Sequence, residues 1–177
     1  EAFSILQPID AYGISKMAAG KLGLLEAKKK KMSFIWVRIF SVYGKYENPN
    51  SMIQVTLQKL LKNENCDFST GTQMWDYLYS SDAGRAFLKL GDSETKNNYY
   101  CLGRGNAKPL KEYIYEMQNI LHSNSKLNFG IIQDNPINRN GMCADITTLT
   151  QDTGWVPEVD FIQGIKWEVE RLRRKMK

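Results

Sequence analysis

A helical segment runs straight into a stretch in which almost every residue is apolar, and this junction admits few folds. From about Ala11 to Met32 the apolar residues Ile14, Met17, Ala18, Leu22 and Leu25 have the spacing of a buried helical stripe. SFIWVRIF, Ser33 to Phe40, follows at once. Its β-branched, near-continuous apolar character suits a strand covered on both faces, as in a parallel sheet. A helix feeding a buried strand is half of a βαβ unit, so the expected class is α/β.

The remaining pattern continues the alternation. After the loop SVYGKYENPN, residues 51–62 form an amphipathic helix with Ser51 as N-cap. Short extended pieces are expected at 66–69 and 75–79, then a helix over 81–90 capped by Ser80 or Ser81, and a second buried strand at 98–103. Pro109 opens a helix reaching His122. KLNFGII is expected as a strand, Asp145 as the cap of a short helix stopped by GWVP, and Asp160 as the cap of the last helix. GRGN, from Gly103, lacks the third glycine of a dinucleotide fingerprint and is read as a turn.

Composition narrows the function. The 177 residues are 42% hydrophobic and 24% charged, ordinary values for a globular protein. No apolar run approaches the roughly 20 residues that cross a bilayer, and no signal-peptide pattern opens the chain, so the expectation is a cytoplasmic protein without a membrane partner. Cys66, Cys101 and Cys143 are odd in number and lack CxxC spacing, and His122 is the single histidine, which argues against a disulfide framework or a metal site. The net charge of +5 comes largely from Lys28–Lys31 and the tail RLRRKMK. Both runs lie at expected helix ends, where the dipole favours cations, and no aromatic residues interleave with them, so solvated helix ends are favoured over a nucleic-acid surface.

The chemistry-bearing pair is Tyr12 and Lys16 in DAYGISKMAAG. Four residues apart on a helix, their Cβ atoms are about 5 to 6 Å apart. A positive charge about 6 Å from the phenol, at an effective dielectric of about 20, favours the phenolate by about 3 kcal/mol. That would fit the tyrosine for proton exchange near neutral pH.

YGISKMAAG, VRIFSVYG, WDYLYSSDAGRAF and ADITTLTQDTGWVP with FIQGI occur in an order and spacing that resemble the NAD(P)-dependent epimerase/dehydratase family, the extended short-chain dehydrogenase/reductases acting on nucleotide sugars. The resemblance implies a C-terminal remnant of a Rossmann-like doubly wound sheet plus a small mixed α/β substrate-binding lobe. Residues 1–50 would belong to the core, and residues 51–177 mainly to the lobe, with strand 98–103 returning to the core sheet. It implies Tyr12 as general acid/base, and Lys16 as the residue that holds the nicotinamide ribose of NAD or NADP. The backbone of Phe40, Ser41 and Val42 would meet the nicotinamide end.

By the same resemblance, Ser41, Trp75 and Arg139 are the substrate-binding candidates, and two of them depart from the family pattern. Ser41 stands where relatives often carry asparagine, and Trp75 where many carry a phosphate-binding arginine; an indole can stack on a base or fill a core. Arg139 matches a position that reaches nucleotide phosphates. Asp76 and Asp82 are expected as structural residues that orient loops and cap a helix. The glycine-rich diphosphate turn does not occur in this sequence, and Ser4 stands too close to Tyr12 for the carbonyl-polarising serine. The implied function is the C-terminal portion of a nucleotide-sugar epimerase, dehydratase or reductase, inactive without an N-terminal half, and partnered by that half or a second copy. The alternative is a non-catalytic binding module on the same scaffold.

Overall fold

The computed structural model describes residues 8, 10–95, 97–134 and 141–175. Its first helix, α1 (Ala11–Lys29), starts where the Asp10 carboxylate accepts the Gly13 N–H at 2.7 Å, and it ends with Lys28 and Lys29 in its last turn. Strand β1 (Trp36–Ile39) follows and pairs in parallel with β6 (Tyr99–Leu102), in the register Trp36↔Tyr99 to Ile39↔Leu102.

Two features of this junction differ from the sequence expectation. The regular strand is four residues long and pairs with one neighbour among the described residues, so its side chains are half-buried and Ile39 is exposed. The stripe of α1 is also rotated. Ile14, Leu22 and Leu25 face outward, while Gly20 and Ala27 are buried and Met17 and Leu24 half-buried. Glycine explains the rotation. A Cβ at Gly20 would come within 2.8 Å of the Trp36 ring and one at Gly23 within 2.6 Å of the Phe34 ring. The bare backbone is the face that can approach the two aromatic rings, so it is the face that packs.

The loop expected over 41–50 opens with β2 (Ser41–Tyr43), which pairs in parallel with β5 (Tyr77–Tyr79). Helix α2 (Met52–Leu61) is capped by Ser51, whose Oγ accepts the Gln54 N–H. In KLNFGII only β8 (Leu127–Asn128) is strand, paired with β3 (Cys66–Asp67); Gly130, at φ +80°, turns the chain, and Phe129 stacks on Phe68. β4 (Met74–Trp75) runs antiparallel to β7 (Lys108–Pro109).

Helix α3 (Ser80–Asp92) begins one residue ahead of expectation, with Tyr79 at its N-cap and no side-chain cap from either serine. α4 (Leu110–Leu121) follows Pro109 and ends at His122, which takes the left-handed conformation of a C-terminal stop. Asp145, one residue ahead of the N-cap of α5 (Thr147–Thr153), accepts from the Thr147 hydroxyl and, at 3.0 Å, from its N–H, and these bonds hold its carboxyl below the ordinary carboxylate range. Gly154 closes α5 at φ +66°, and Asp160 caps α6 (Phe161–Lys175) through the Gln163 N–H.

Two apolar clusters hold these pieces. One joins β2 and β5 to α2, α4 and α6 around Tyr43, Leu57, Tyr113, Met117 and Ile165. The other lies between α3, β6 and α5 around Leu78, Ala86, Tyr100, Leu102 and Trp155. Fully burying one such aliphatic side chain contributes about 1.5–3 kcal/mol. Among the described residues no helix is long and apolar enough to cross a membrane.

Candidate functional site

Tyr12 and Lys16 lie one turn apart near the start of α1, and the Lys16 ammonium sits over the Tyr12 ring, 5.4 Å from its centroid. Tyr12 is 71% exposed. Water therefore screens the pair, and their attraction in this open surface is well below the value for a partly buried site. Tyr46 is likewise exposed, with the Lys45 ammonium 4.8 Å from its ring centroid, whereas five other phenols are shielded from solvent. Burial drives Tyr43, Tyr77, Tyr79 and Tyr100 above the ordinary tyrosine range and pushes Tyr113 up to about 12, so these hydroxyls stay protonated at neutral pH. Tyr12 offers its hydroxyl to the surface with a cation beside it.

Phe40 joins the carboxyl end of β1 to β2, which Ser41 and Val42 begin. The Phe40 N–H donates to the Leu102 carbonyl at 2.9 Å, and Ser41 and Val42 are half-buried opposite Tyr77 and Leu78. Gly103 and Arg104 leave the carboxyl end of the neighbouring β6. In open α/β sheets the crevice at the carboxyl ends of the strands is where ligands bind. Ser4 and Arg139 lie outside the described residues.

Trp75 takes the core-filling option. Its ring packs against the first cluster, 6.3 Å from Tyr77, and its Nε1 is buried with no hydrogen-bond partner among the described residues. Lys108, opposite it in the β4–β7 pair, is ion-paired to Glu116 and lies 4.3 Å from the centroid of the Tyr113 ring. Asp76 and Asp82 are both fully buried and organise loops. Asp76 accepts the N–H groups of Arg104, Gly105 and Ala144, which pins the GRGN turn, where Gly105 has φ +76°. Asp82 accepts from Glu158 N, Val159 N and Arg85 Nη2, fixing the approach to α6 rather than capping its own helix.

The sequence reading missed a cavity of about 460 Å³ between α2, the loop after β3 and the start of α4. Phe68, Val55 and Ile132 give it apolar walls, while Ser69, Thr70 and Thr72 add hydroxyls. The clustered hydroxyls of STGT were the available signal, but the residues that complete the cavity lie some 60 positions further along the chain. Cys66 and Cys101 are buried and Cys143 is exposed; none is in a disulfide. Among the described residues no group of three potential ligands could hold a metal ion.

Comparison with known proteins follows the same lines. Residues 1–103 match the NAD dependent epimerase/dehydratase family. The CDP-abequose synthase of Salmonella typhimurium is 27% identical over 172 residues, covering 94% of this chain and 57% of that protein. The fold is that of the UDP-glucose 4-epimerase of Thermotoga maritima solved with UDP-glucose, at a TM-score of 0.88 and 22% identity over 97% of this chain and 56% of that one. RMD from Pseudomonas aeruginosa complexed with NADPH is likewise similar, with a TM-score of 0.89 and 18% identity over 99% of this chain and 60% of that one. The chain thus spans about half the length of the relatives it matches, with the α/β architecture of a Rossmann-like sheet and an attached lobe. The chain belongs to the NAD dependent epimerase/dehydratase family.

Proposed function

We propose that this chain supplies the proton-transfer pair and the substrate lobe of a nucleotide-sugar epimerase, dehydratase or reductase, working with a glycine-rich N-terminal half. The observation that carries the reading is the Tyr12–Lys16 pair, exposed on one patch of α1 in a member of this family. Tyr12 exchanges a proton with a sugar hydroxyl or ketone. Lys16 holds the nicotinamide ribose of NAD or NADP and stabilises the charge that develops on the phenol. The Phe40–Val42 backbone, which follows the carboxyl end of β1, would hold the nicotinamide end of the cofactor, in keeping with ligand binding at the carboxyl ends of such strands. The cofactor supplies the hydride step.

The same reading divides the chain into residues 1–50, core, and 51–177, mainly substrate lobe, with 98–103 returning to the core. Ser41 and Arg139 serve the diphosphate, and the 460 Å³ cavity of the lobe takes the nucleoside. Trp75 contributes by shape rather than charge.

The test is a chain extended upstream to include the glycine-rich turn. It should bind NAD(H) or NADP(H) by fluorescence titration, and Tyr12→Phe should lower turnover by about 10²-fold or more. Unchanged turnover in Tyr12→Phe, or no dinucleotide binding, would sink the proposal. The outward apolar stripe of α1 favours a second reading, a non-catalytic module that docks a protein partner. Turnover by the extended chain discards it.

A further inference from the structure

A second cleft, of about 380 Å³, opens between the loop after β2 and the outer face of α6, and it shares no lining residue with the cavity of the lobe. Its floor is a buried polar chain. Glu168 is 1% exposed, and its carboxylate accepts from Arg171 Nε and Nη2 at 2.9 and 2.7 Å, from Gln54 Nε2 at 3.2 Å and from the Tyr79 hydroxyl at 3.4 Å. Gln54 is buried too. Its carbonyl accepts from Arg171 Nη2 at 2.9 Å, and its amide also donates to Glu47 at 3.5 Å, which ties the loop to the helix beneath the cleft. A buried ion pair stabilises little compared with apolar residues of similar volume. What this one fixes is direction. The guanidinium is held at two of its nitrogens, and Nη1 is left without a partner among the described residues, on a side chain that lines the cleft.

Cations stand on both walls. Trp167, Arg171 and Arg174 recur along α6 at the spacing of one helical face, and Lys45 comes from the loop opposite. Among the described residues neither Arg174 nor Lys45 has an ion-pair partner, the Lys45 ammonium resting 4.8 Å from the Tyr46 ring centroid. Arg171 already balances Glu168, and the exposed Glu170 sets one carboxylate against two unmatched cations, so the lining is net positive. Trp167 packs against Tyr79 at 5.3 Å and is still 41% exposed, which leaves aromatic surface beside these charges.

We propose that this cleft is a ligand site additional to the substrate cavity, and that it binds a phosphate group carried on a flat ring. The phosphate meets Arg171 and Arg174 from the helix and Lys45 from the loop, and the ring lies on Trp167. The planar fork of arginine matches paired phosphate oxygens, and lysine adds a point charge on a flexible stem. An aromatic face accepts any flat ring by stacking. A carboxylate, with two oxygens and a single charge, meets fewer of these donors.

Calorimetric titration of the 177-residue chain with phenyl phosphate, inorganic phosphate and benzoate separates the parts. Phenyl phosphate should bind about fivefold or more tightly than either of the others. Arg174→Gln and Lys45→Gln, at exposed residues without an ion pair to lose, should each weaken it by about fivefold. Glu170→Gln should tighten it by removing the opposing carboxylate, and Trp167→Leu should bring phenyl phosphate down to the affinity of inorganic phosphate. No binding of phenyl phosphate at millimolar concentration would overturn the proposal. Affinity unaltered in both Arg174→Gln and Lys45→Gln would place the ligand elsewhere on the chain and overturn it equally, as would benzoate binding as tightly as phenyl phosphate.

Discussion

The Asp76 carboxylate accepts the Gly105 N–H at 3.0 Å in the buried base of the turn that leaves β6. Two more backbone donors, from Arg104 and Ala144, converge on the same side chain. Removing it strands three N–H groups, that of Ala144 in a buried bond and those of Arg104 and Gly105 in part-buried ones, and an unsatisfied buried group costs about 1–3 kcal/mol. Asp76→Ala should therefore lose about 1–3 kcal/mol in urea unfolding, with Asp76→Asn losing less because one carbonyl acceptor remains. A loss within the scatter of surface substitutions would show that the turn holds itself.

Gly20 and Gly84 are both helical glycines, and they should respond oppositely to a methyl group. Gly84 is exposed on α3 with nothing within 4 Å of its would-be Cβ, so Gly84→Ala should gain up to about 1 kcal/mol of helix propensity. At Gly20 the methyl meets the Trp36 ring, and Gly20→Ala should cost about 1–3 kcal/mol through overpacking. The two melting temperatures, compared with the unsubstituted protein, check the pair; a rise at both positions would mean that α1 slides freely on β1.

Burial raises the Glu47 carboxyl above its ordinary value of 4.5, although Ser51 and Gln54 bond to it. The folded state thus holds this proton more tightly than the unfolded chain. The contribution is fully present below pH 4.5 and is lost as pH rises through the raised folded value. Glu47→Gln should flatten the fall of melting temperature across that window and leave the slope below it unchanged. Parallel profiles for the two proteins over the whole range would contradict the assignment.

One thiol of the three should react quickly with Ellman's reagent in the folded protein. Cys143 is exposed, whereas Cys66 and Cys101 are buried and burial pushes the Cys66 thiol up, away from the reactive thiolate. All three should react in urea, and Cys143→Ser should abolish the fast phase. Two fast thiols in the folded state would mean that one of the cores opens readily.

Local signals carried much of the fold. Ser51 and Asp160 cap the helices they precede, and the strand near Tyr100 pairs with the one near Val37, because caps and apolar runs are short-range patterns. The orientation of α1 was not legible by that route. Periodicity marks apolar faces, and α1 has larger side chains on one face and glycines on another; which face packs depends on the Phe34 and Trp36 rings waiting opposite. Tyr12 and Lys16 became candidates through the motifs that follow them, because a four-residue spacing of two common residue types is a weak signal alone. The cavity was not legible, since its walls from residues 67–73 and 132–134 come together only through the β3–β8 pairing and the turn after it. Trp75 allowed two outcomes, and the neighbouring Tyr77 and Tyr113, invisible as neighbours in sequence, fixed the one observed.

Gly20 lies eight residues from Tyr12, about 12 Å along the helix axis. Since the backbone at Gly20 rests directly on the Trp36 indole, this contact works as a fulcrum and the first two turns of α1 as the arm beyond it. The bearing of the Tyr12 phenol is therefore set by a residue with no side chain, two turns from the hydroxyl whose position it governs.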